Sequence, residues 1–288
     1  MYESSKPYIT YGDTDSIYYQ IEPFVDIYKE KNPNLTINEY VEWADAFEKK
    51  VIQPIIESTI DNFADNFNAM DKSVIGVERE IIADAIVFNA KKKYFARVRD
   101  SEGVRYDENN PYIKVMGLEI AKSSTPLWAK KKLKEAIPHI LDKNENDLKD
   151  WLKSIKQEFI STNPNNICLS GSASNLNYTL GQKGIPIGSR AAIVHNNYIN
   201  SNNLSSKYTL IEPGDKSKRL FLVQPNKLNS DIVAFTNEQF VEELFDESGN
   251  SIIDYDKCFE KGFLSALRLM TNALKYNLDK ETSDLDDW

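Results

Sequence analysis

The alternation of hydrophobic and polar positions predicts a β-hairpin near the start of the chain. Residues 8–11 and 17–21 are rich in β-branched and aromatic side chains, which favour extended strands. The Gly-Asp-Thr-Asp run at 12–15 between them has the composition of a turn. We therefore expect the two segments to pair, with an acidic turn at their tip.

Helical spacing follows the hairpin. Thr36 and Glu39 have the spacing of a capping box, and apolar residues then recur every three or four positions from Tyr40 to Ile55. Pro54 lies inside this run and is expected to kink it, because proline has no N–H to donate to the preceding turn. A long amphipathic helix is predicted.

Two further strands are predicted at residues 74–88 and 94–98, separated by a lysine-rich turn. A hairpin, a helix and a second strand pair together indicate an α+β fold with an antiparallel sheet. Beyond residue 100 the spacing becomes mainly helical.

The helical part is predicted element by element. Thr125 as N-cap with Pro126 at the first position begins a helix that ends near Leu141. The other predicted elements are a helix at 145–159, mostly loop and extended chain at 161–206, a short helix capped by Thr236, and a last helix at 255–276.

Composition adds that the chain should fold and carry two domains. It has 288 residues, 41% of them hydrophobic and 27% charged. Two cysteines without CxxC spacing and two histidines argue against a zinc site or a disulfide framework. No apolar run of membrane-spanning length and no signal-peptide pattern is present, so a cytoplasmic location, that of the host if the chain is viral, is expected, without membrane association.

The net charge of −9 is unusual for a nucleic-acid binder, because phosphate contacts need lysine and arginine. The distribution of charge changes this picture. A compact basic segment consists of Lys91, Lys92, Lys93, Arg97 and Arg99. Binding to nucleic acid therefore remains compatible with the composition.

The acidic turn carries the candidate chemistry. Asp13 and Asp15 stand two residues apart at the predicted tip, where both carboxylates could hold a cation. Phosphoryl transfer uses two divalent ions about 4 Å apart, bound by such oxygen ligands. The alternative for an isolated Asp-X-Asp is a turn that uses aspartate only for local hydrogen bonds.

The six residues Tyr11-Gly-Asp-Thr-Asp-Ser16, between two strand-like runs, resemble motif C of family B DNA polymerases. The resemblance implies catalytic roles for Asp13 and Asp15, with Asp15 a principal Mg²⁺ ligand and Asp13 more peripheral. Glu78-Arg-Glu80 resembles an acidic segment of the phage branch, which implies that Glu80 is an outer metal ligand. Ordinary cross-strand ion pairing of these side chains is the alternative.

The basic turn Lys91-Lys-Lys-Tyr94 resembles the KKxY motif of the same family, which implies that Lys91, Lys92 and Tyr94 grip the primer end of the duplex. A solvated basic turn is the alternative. The segment 114–126 resembles the palm-to-thumb junction of T-even-type bacteriophage polymerases. It implies DNA contacts at Lys122, Ser123, Ser124 and Thr125, although Thr125 could serve only as a helix cap.

The remainder resembles the thumb in outline. Arg190 stands where a primer phosphate contact is expected, whereas His195, without a carboxylate or cysteine at a recognisable spacing, is expected to be structural. The implied domains are a partial palm at 1–115, a mainly helical thumb at 116–276 and a tail at 277–288. Leu285 and Trp288 in that tail are expected to bind a sliding clamp.

The resemblance also implies what the chain lacks. The other metal-binding aspartate of the DxxSLYPS motif, the KxxxNSxYG fingers helix and the exonuclease motifs are absent. Because Met1 stands just ahead of motif C, the chain is either one subunit of a naturally split polymerase, which we expect, or a fragment of a longer one. Its implied partners are an N-terminal polypeptide with exonuclease, fingers and the rest of the palm, two Mg²⁺ ions, primer-template DNA, dNTP and the clamp.

Two other functions remain open. The chain could be a catalytically inert module that grips DNA or docks on a clamp. It could less readily be a glycosyltransferase, in which Asp-X-Asp holds a nucleotide diphosphate, since no nucleotide-binding βαβ units are visible in the sequence.

Overall fold

The computed structural model describes residues 8–68, 71, 76–142 and 144–278. The chain divides into a first unit, Met1–Met116, and a second unit, Gly117–Trp288. Among the described residues no helix combines the length and apolar character that a membrane crossing requires.

The predicted hairpin is confirmed at the start of the first unit. Strand β1 (Ile9–Asp13) pairs antiparallel with β2 (Ser16–Tyr19), and Asp13 is opposite Ser16 in the register. The turn therefore consists of Thr14 and Asp15 alone. Its shortness puts one aspartate at the end of a strand and the other in the turn.

Three helices follow: α1 (Glu22–Lys31), α2 (Ile37–Phe47) and α3 (Gln53–Asn66). The predicted capping box is confirmed, since the Thr36 N–H donates to Glu39 Oε2 at 2.7 Å and the Glu39 N–H donates to Thr36 Oγ1 at 3.3 Å. A π-helical turn, Glu48–Ile52, separates α2 from α3. This wider turn ends two residues before Pro54, which has no N–H to donate to the preceding turn of the helix.

The main sheet of the first unit is antiparallel, as predicted. It contains β3 (Ile81–Ala90), β4 (Lys93–Ser101), β5 (Val104–Arg105) and β6 (Tyr112–Met116), with β4 paired to the other three. Strand β3 begins at residue 81 instead of the predicted 74. Residues 76–80 form no strand, and 72–75 lie outside the described residues.

A network of charged side chains joins α2 to this sheet. The Asp100 carboxylate is fully buried, pairs with Arg79 and Arg105, and accepts the Gly103 N–H at 3.1 Å. Arg79 also contacts Asp45 of α2 at 2.9 Å. Arg105 contacts the same carboxylate at 3.2 Å, so two guanidinium groups share Asp45 and the buried Asp100.

The second unit is α+β as well. Its helices are α4 (Leu127–Leu141), α5 (Glu145–Ser161), α6 (Pro164–Ile167), α7 (Ile187–Ser201), α8 (Tyr255–Phe259) and α9 (Ser265–Thr271). Short 3₁₀ turns cover Glu119–Ala121, Glu238–Leu244 and Asn272–Leu274, and a π-helical turn covers Glu260–Leu264. Strands β7 (Leu169–Ser172), β8 (Lys216–Phe221) and β9 (Ile232–Phe235) form an antiparallel sheet in that order.

Aromatic packing forms the centre of the helical part of this unit. The ring of Trp128 lies 4.8 Å from Phe159 and 5.3 Å from Phe263, centroid to centroid, both in edge-on orientation. Phe159 and Phe263 come from α5 and from the π-helical turn. Side chains distant in sequence thereby bury a common apolar surface.

Two features of the second unit were not predicted. Residues 161–206, expected to be mostly loop and extended chain, also contain the 15-residue helix α7. Its residues 188–189 and 191–195 are all buried, and a helix buried on nearly every side lacks the apolar periodicity that reveals an amphipathic helix. The sheet β7–β9 was not predicted either, since its strands are only four to six residues long.

The predicted helix caps at Thr125 and Thr236 are wrong. Helix α4 begins after Pro126 without a side-chain cap, and Thr125 Oγ1 instead donates to the Glu119 carbonyl at 2.7 Å. Asn237 takes the place of Thr236, because its side chain accepts the Gln239 N–H at 2.9 Å. The predicted last helix is divided by the Glu260–Leu264 turn.

We predict that Asp100→Ala destabilises the first unit by about 1–3 kcal/mol, because it removes the buried one of the two carboxylates that Arg79 and Arg105 contact. Denaturant unfolding followed by circular dichroism measures the loss. Asp26→Ala, at an exposed position of α1, is the control and should leave the midpoint unchanged. Equal midpoints for both variants would contradict the prediction.

We also predict a pH dependence that comes from His195. Its side chain is 1% exposed, and burial lowers its pKa although Nε2 lies 3.2 Å from the Thr209 carbonyl. As the pH falls below the ordinary histidine pKa of 6.5, the unfolded chain takes up a proton before the folded one, so stability decreases by up to about 1.4 kcal/mol per pH unit.

His195→Gln should remove this contribution. Urea unfolding at pH 5, 6 and 7 compares the two proteins, and the variant should lose less stability toward pH 5 than the wild type. An identical pH slope in both would show that His195 does not cause the dependence.

Candidate active-site hairpin and lysine turn

The turn between β1 and β2 is held by its backbone. The Asp13 carbonyl accepts the Asp15 N–H at 2.6 Å and the Ser16 hydroxyl at 3.1 Å. Thr14 adopts a φ of 50°, a left-handed conformation that is strained for a β-branched residue. Strain at this one residue allows two strands to reverse direction within a very short turn.

The Asp15 carboxylate is exposed. Across the described residues, none of the hydrogen bonds that hold the turn uses its oxygens. Asp13 is half-buried, and its Oδ1 accepts the Thr14 hydroxyl at 3.2 Å. The alternative of aspartates that only stabilise a turn therefore does not apply to Asp15.

Four aromatic rings join the hairpin to strands β3 and β4. Tyr11 stacks on Phe88 with centroids 4.8 Å apart, and Tyr18 meets the same ring edge-on at 5.3 Å. Tyr18 also lies 5.5 Å from the ring of Tyr94, and their hydroxyl oxygens are 2.7 Å apart. A two-stranded hairpin alone is only marginally stable, so this aromatic cluster fixes the position of the acidic turn.

The lysine turn lies beside the acidic turn. The Lys92 N–H donates to the Tyr11 hydroxyl at 2.8 Å, and Lys92 Nζ lies 3.6 Å from Asp13 Oδ2. Lys92 has a φ of 60° and an amino side chain that is 66% exposed, while Lys91 and Lys93 are exposed as well. Cations and carboxylates thus face solvent together at one end of the two hairpins.

Tyr94, predicted from the KKxY resemblance to contact DNA, is 6% exposed. Its ring packs against Phe88 and Tyr18, and burial together with the Tyr94 hydroxyl raises the pKa of Tyr18. In this structure Tyr94 belongs to the packing between hairpin and sheet. Its contact with DNA stays a prediction.

Glu80 forms an ion pair with Lys114 of β6. Burial by itself would lower the pKa of Lys114, but the bond to Glu80 raises it above its usual value. Arg79, next to Glu80, pairs with Asp45 and Asp100. The ion pairing foreseen as an alternative is therefore present, and a metal contact of Glu80 stays a prediction.

Of the residues predicted to contact DNA at the start of the second unit, Lys122 and Thr125 have partners within the chain. Lys122 forms an ion pair with Glu119, Thr125 is buried, and Ser123 and Ser124 are exposed. Leu285 and Trp288, which were predicted to bind a sliding clamp, lie outside the described residues.

Arg190 is bonded to the carboxylate of Asp231, which also contacts Lys257 Nζ at 3.0 Å. Burial alone would raise the pKa of Asp231, but these two cations hold it below its usual range. Arg190 is thus balanced by a carboxylate within the second unit.

The acidic turn is a candidate for part of a metal site. Aspartate oxygens are the hard ligands that Mg²⁺ takes, and the exposed Asp15 carboxylate suits that ion. In the described part of the chain, however, no group of three or more His, Cys, Asp or Glu side chains is placed to hold a metal. Asp13 and Asp15 suit Mg²⁺ in the chemistry of their oxygens, but they would be only some of the ligands that the ion takes.

Sequence reasoning missed the residues that position the turn. Tyr11 and Tyr18 were treated as strand formers, although they are opposite each other in the register and share one face. Phe88 was part of a predicted strand without an assigned partner. The sequence signal that could have indicated their packing was one aromatic residue in each of three strands, Tyr11, Tyr18 and Phe88. These rings contact one another only after the strands have come together.

We predict that Tyr11→Phe speeds hydrogen exchange of the Lys92 amide, because the substitution removes the hydroxyl that accepts this N–H. A loss of about 1 kcal/mol in local opening free energy corresponds to about fivefold faster exchange, measured by NMR. Tyr112→Phe, at an exposed tyrosine of β6, is the control. Unchanged exchange at Lys92 would show that the hydroxyl does not link the two turns.

Comparison with known proteins gives two relatives. No model of a known protein family matches the chain. The chain is 29% identical over 291 residues to the DNA-directed DNA polymerase of Escherichia phage RB69, and 24% identical over 298 residues to that of Enterobacteria phage T4.

Each match covers 97% of this chain but only 32% of the relative. The chain therefore spans about a third of the length of these polymerases. The resemblance drawn from the motifs is confirmed at this level: over almost its whole length, the chain is homologous to a carboxyl-terminal part of the DNA-directed DNA polymerases of T4-type phages.

Proposed function

We propose that this chain is the motif C palm segment and thumb of a family B DNA-directed DNA polymerase, and that it supplies part of a two-Mg²⁺ site for nucleotidyl transfer. The observation that carries the proposal is the exposed Asp15 carboxylate on a rigidly packed hairpin turn, beside the lysine turn. Similarity to two phage polymerases over 97% of the chain supports it.

In this proposal Asp15, with Asp13 beside it, holds the metal ions. When bound, the two ions would activate the primer 3′ hydroxyl and stabilise negative charge on the leaving pyrophosphate. The aromatic cluster keeps the carboxylates in place, so that little reorganisation is needed when charge develops. The side chains of this chain contribute position and charge, which is most of what phosphoryl transfer requires of a protein.

Lys91 and Lys92 would contact phosphates of the primer-template on the same exposed surface. Lysine contacts to the DNA backbone do not read sequence, which suits an enzyme that must copy any template. Lys92 Nζ lies 3.6 Å from the half-buried Asp13 carboxylate, and the Lys92 side chain is 66% exposed. An ion pair with an exposed amino group at this distance contributes about 0–1 kcal/mol, so a phosphate can replace the carboxylate as the partner of Lys92 at little cost.

A second polypeptide segment would supply the rest of the catalytic site. Two observations support this: the chain spans only 32% of each relative, and the described residues contain no complete set of metal ligands. The proposed partner carries the other catalytic aspartate, the fingers, the exonuclease and the rest of the palm. A naturally divided polymerase, with dNTP as substrate and a sliding clamp bound by the tail, remains part of the proposal.

The glycosyltransferase alternative is not supported by the fold. Every strand pair in the described residues is antiparallel, whereas a nucleotide-binding βαβ unit needs parallel strands. An inert module that grips DNA has the same lysines but needs no exposed aspartate. The role of Asp15 therefore separates this alternative from the enzyme.

We predict that Asp15→Asn lowers nucleotide incorporation by at least about a hundredfold, since loss of even an outer-shell group at a metal site costs about 10–100-fold. The measurement is primer extension by the chain co-expressed with the polypeptide that supplies the missing catalytic parts. DNA affinity, measured in parallel, should not fall, because the substitution removes a negative charge.

Asp150→Asn is the matched control, because Asp150 is an aspartate of α5 that is 78% exposed. It should leave incorporation unchanged. Full activity of the Asp15→Asn complex would instead show that the chain only grips DNA or docks on a partner.

A further inference from the structure

Arg219, at the centre of the sheet in the second unit, is distinguished from the other arginines by its lack of a counter-charge. The chain has seven arginines. Within the described ranges, six of them pair with a carboxylate, and no such pair includes Arg219. Arg219 is half-buried. Removing part of a guanidinium group from water without an anion is unfavourable, so its retention calls for a ligand.

The surroundings of Arg219 hold its guanidinium group in one place. Arg219 lies on β8, opposite Leu169 of β7 and Ala234 of β9. Its Nη2 lies 3.4 Å from the Ser170 carbonyl, which is a weak contact, and its Nε is buried without a hydrogen-bond partner in the described residues. Burial lowers the pKa of Arg219, with no charged neighbour among the causes.

Two glycines leave the room that the guanidinium group occupies. A Cβ atom at Gly171 would collide with Nη2, and one at Gly188 would lie 3.1 Å from Nη1 and 2.9 Å from the Ser172 carbonyl. Neither glycine has a positive φ, so close approach explains their use better than backbone conformation does. The guanidinium group thus lies close to the main chain at both glycines.

Gly188 also belongs to the first turn of α7. Pro186 precedes this helix and provides no side-chain cap, so the first N–H groups do not donate to an N-cap side chain. The guanidinium group and the positive end of the helix dipole are therefore adjacent. Both favour an anion, and the guanidinium fork suits the tetrahedral oxygens of a phosphate.

We propose that Arg219, cradled by Gly171 and Gly188, binds a phosphodiester group of the DNA backbone. The site adds one phosphate contact to the proposed DNA-binding function, and the identity of its ligand rests on that function. It lies next to the 185–190 segment, in which the sequence suggested a phosphate contact at Arg190. Arg190 is paired with Asp231, whereas the guanidinium group of Arg219 has no carboxylate partner in the described residues and is available to a phosphate.

The first test measures binding of the complete chain to a fluorescent primer-template duplex at several salt concentrations. Arg219→Gln should weaken binding to two duplexes of unrelated sequence by the same factor. It should also reduce the slope of log K against log salt by about 0.9, the contribution of one phosphate contact. Arg268→Gln, at an arginine of the same unit that pairs with Glu260, is the control and should retain the wild-type slope.

The second test needs no variant, so misfolding of Arg219→Gln cannot obscure it. Inorganic phosphate is titrated into the ¹⁵N-labelled wild-type chain while the Arg219 Nε–H signal is followed by NMR. A saturating shift confined to Arg219 and the start of α7 is expected. Chloride at equal ionic strength serves as the control and should not reproduce the shift.

The two tests distinguish failure of this site from failure of the proposed function. A wild-type slope for Arg219→Gln on duplex DNA would overturn the assignment of the site to DNA, and an unperturbed Arg219 signal in phosphate would overturn the anion site itself. A chain that shows the phosphate shift but binds no duplex would retain the anion site and refute the DNA-binding function.

Discussion

The packing of the β1–β2 hairpin against strands β3 and β4 is the interaction on which the candidate site depends. Tyr11, Tyr18, Phe88 and Tyr94 bring together rings from all four strands at centroid distances of 4.8–5.7 Å. Each aromatic pair contributes about 0.5–1.5 kcal/mol beyond the area that it buries. Without this cluster the acidic turn would be the tip of a two-stranded hairpin that is too small to be rigid.

Hydrogen bonds give this packing its register. The contact between the Tyr18 and Tyr94 hydroxyls and the bond from the Lys92 N–H to the Tyr11 hydroxyl both cross from one hairpin to the other. They place the strained Thr14 turn beside the left-handed Lys92 turn, so that Asp13 and Lys92 face each other. A rigid apolar base with charged groups at its exposed edge is a suitable arrangement for holding metal ions and phosphates.

In the second unit, most of the described lysines and arginines pair with a carboxylate, as Arg190 and Lys257 do with Asp231. Arg219 has no such partner among the described residues. In the first unit, the exposed Lys91 has none there either, whereas Lys92 pairs with Asp13 through an exposed amino group. A chain of net charge −9 therefore still presents cations to a ligand.

The sequence by itself determined the α+β class, the acidic hairpin, the capped helix at Thr36 and the family resemblance, because each depends on short-range patterns. Strand propensity, a capping box and a six-residue motif are complete within a few neighbouring residues. Tertiary structure alone decided that Tyr94 is buried, that Thr125 bonds to Glu119 instead of capping α4, and that residues 187–201 form a helix. Burial on several sides removes the periodicity that sequence reading relies on, and partners such as Phe88 for Tyr11 or Gly171 for Arg219 meet only after distant segments have packed.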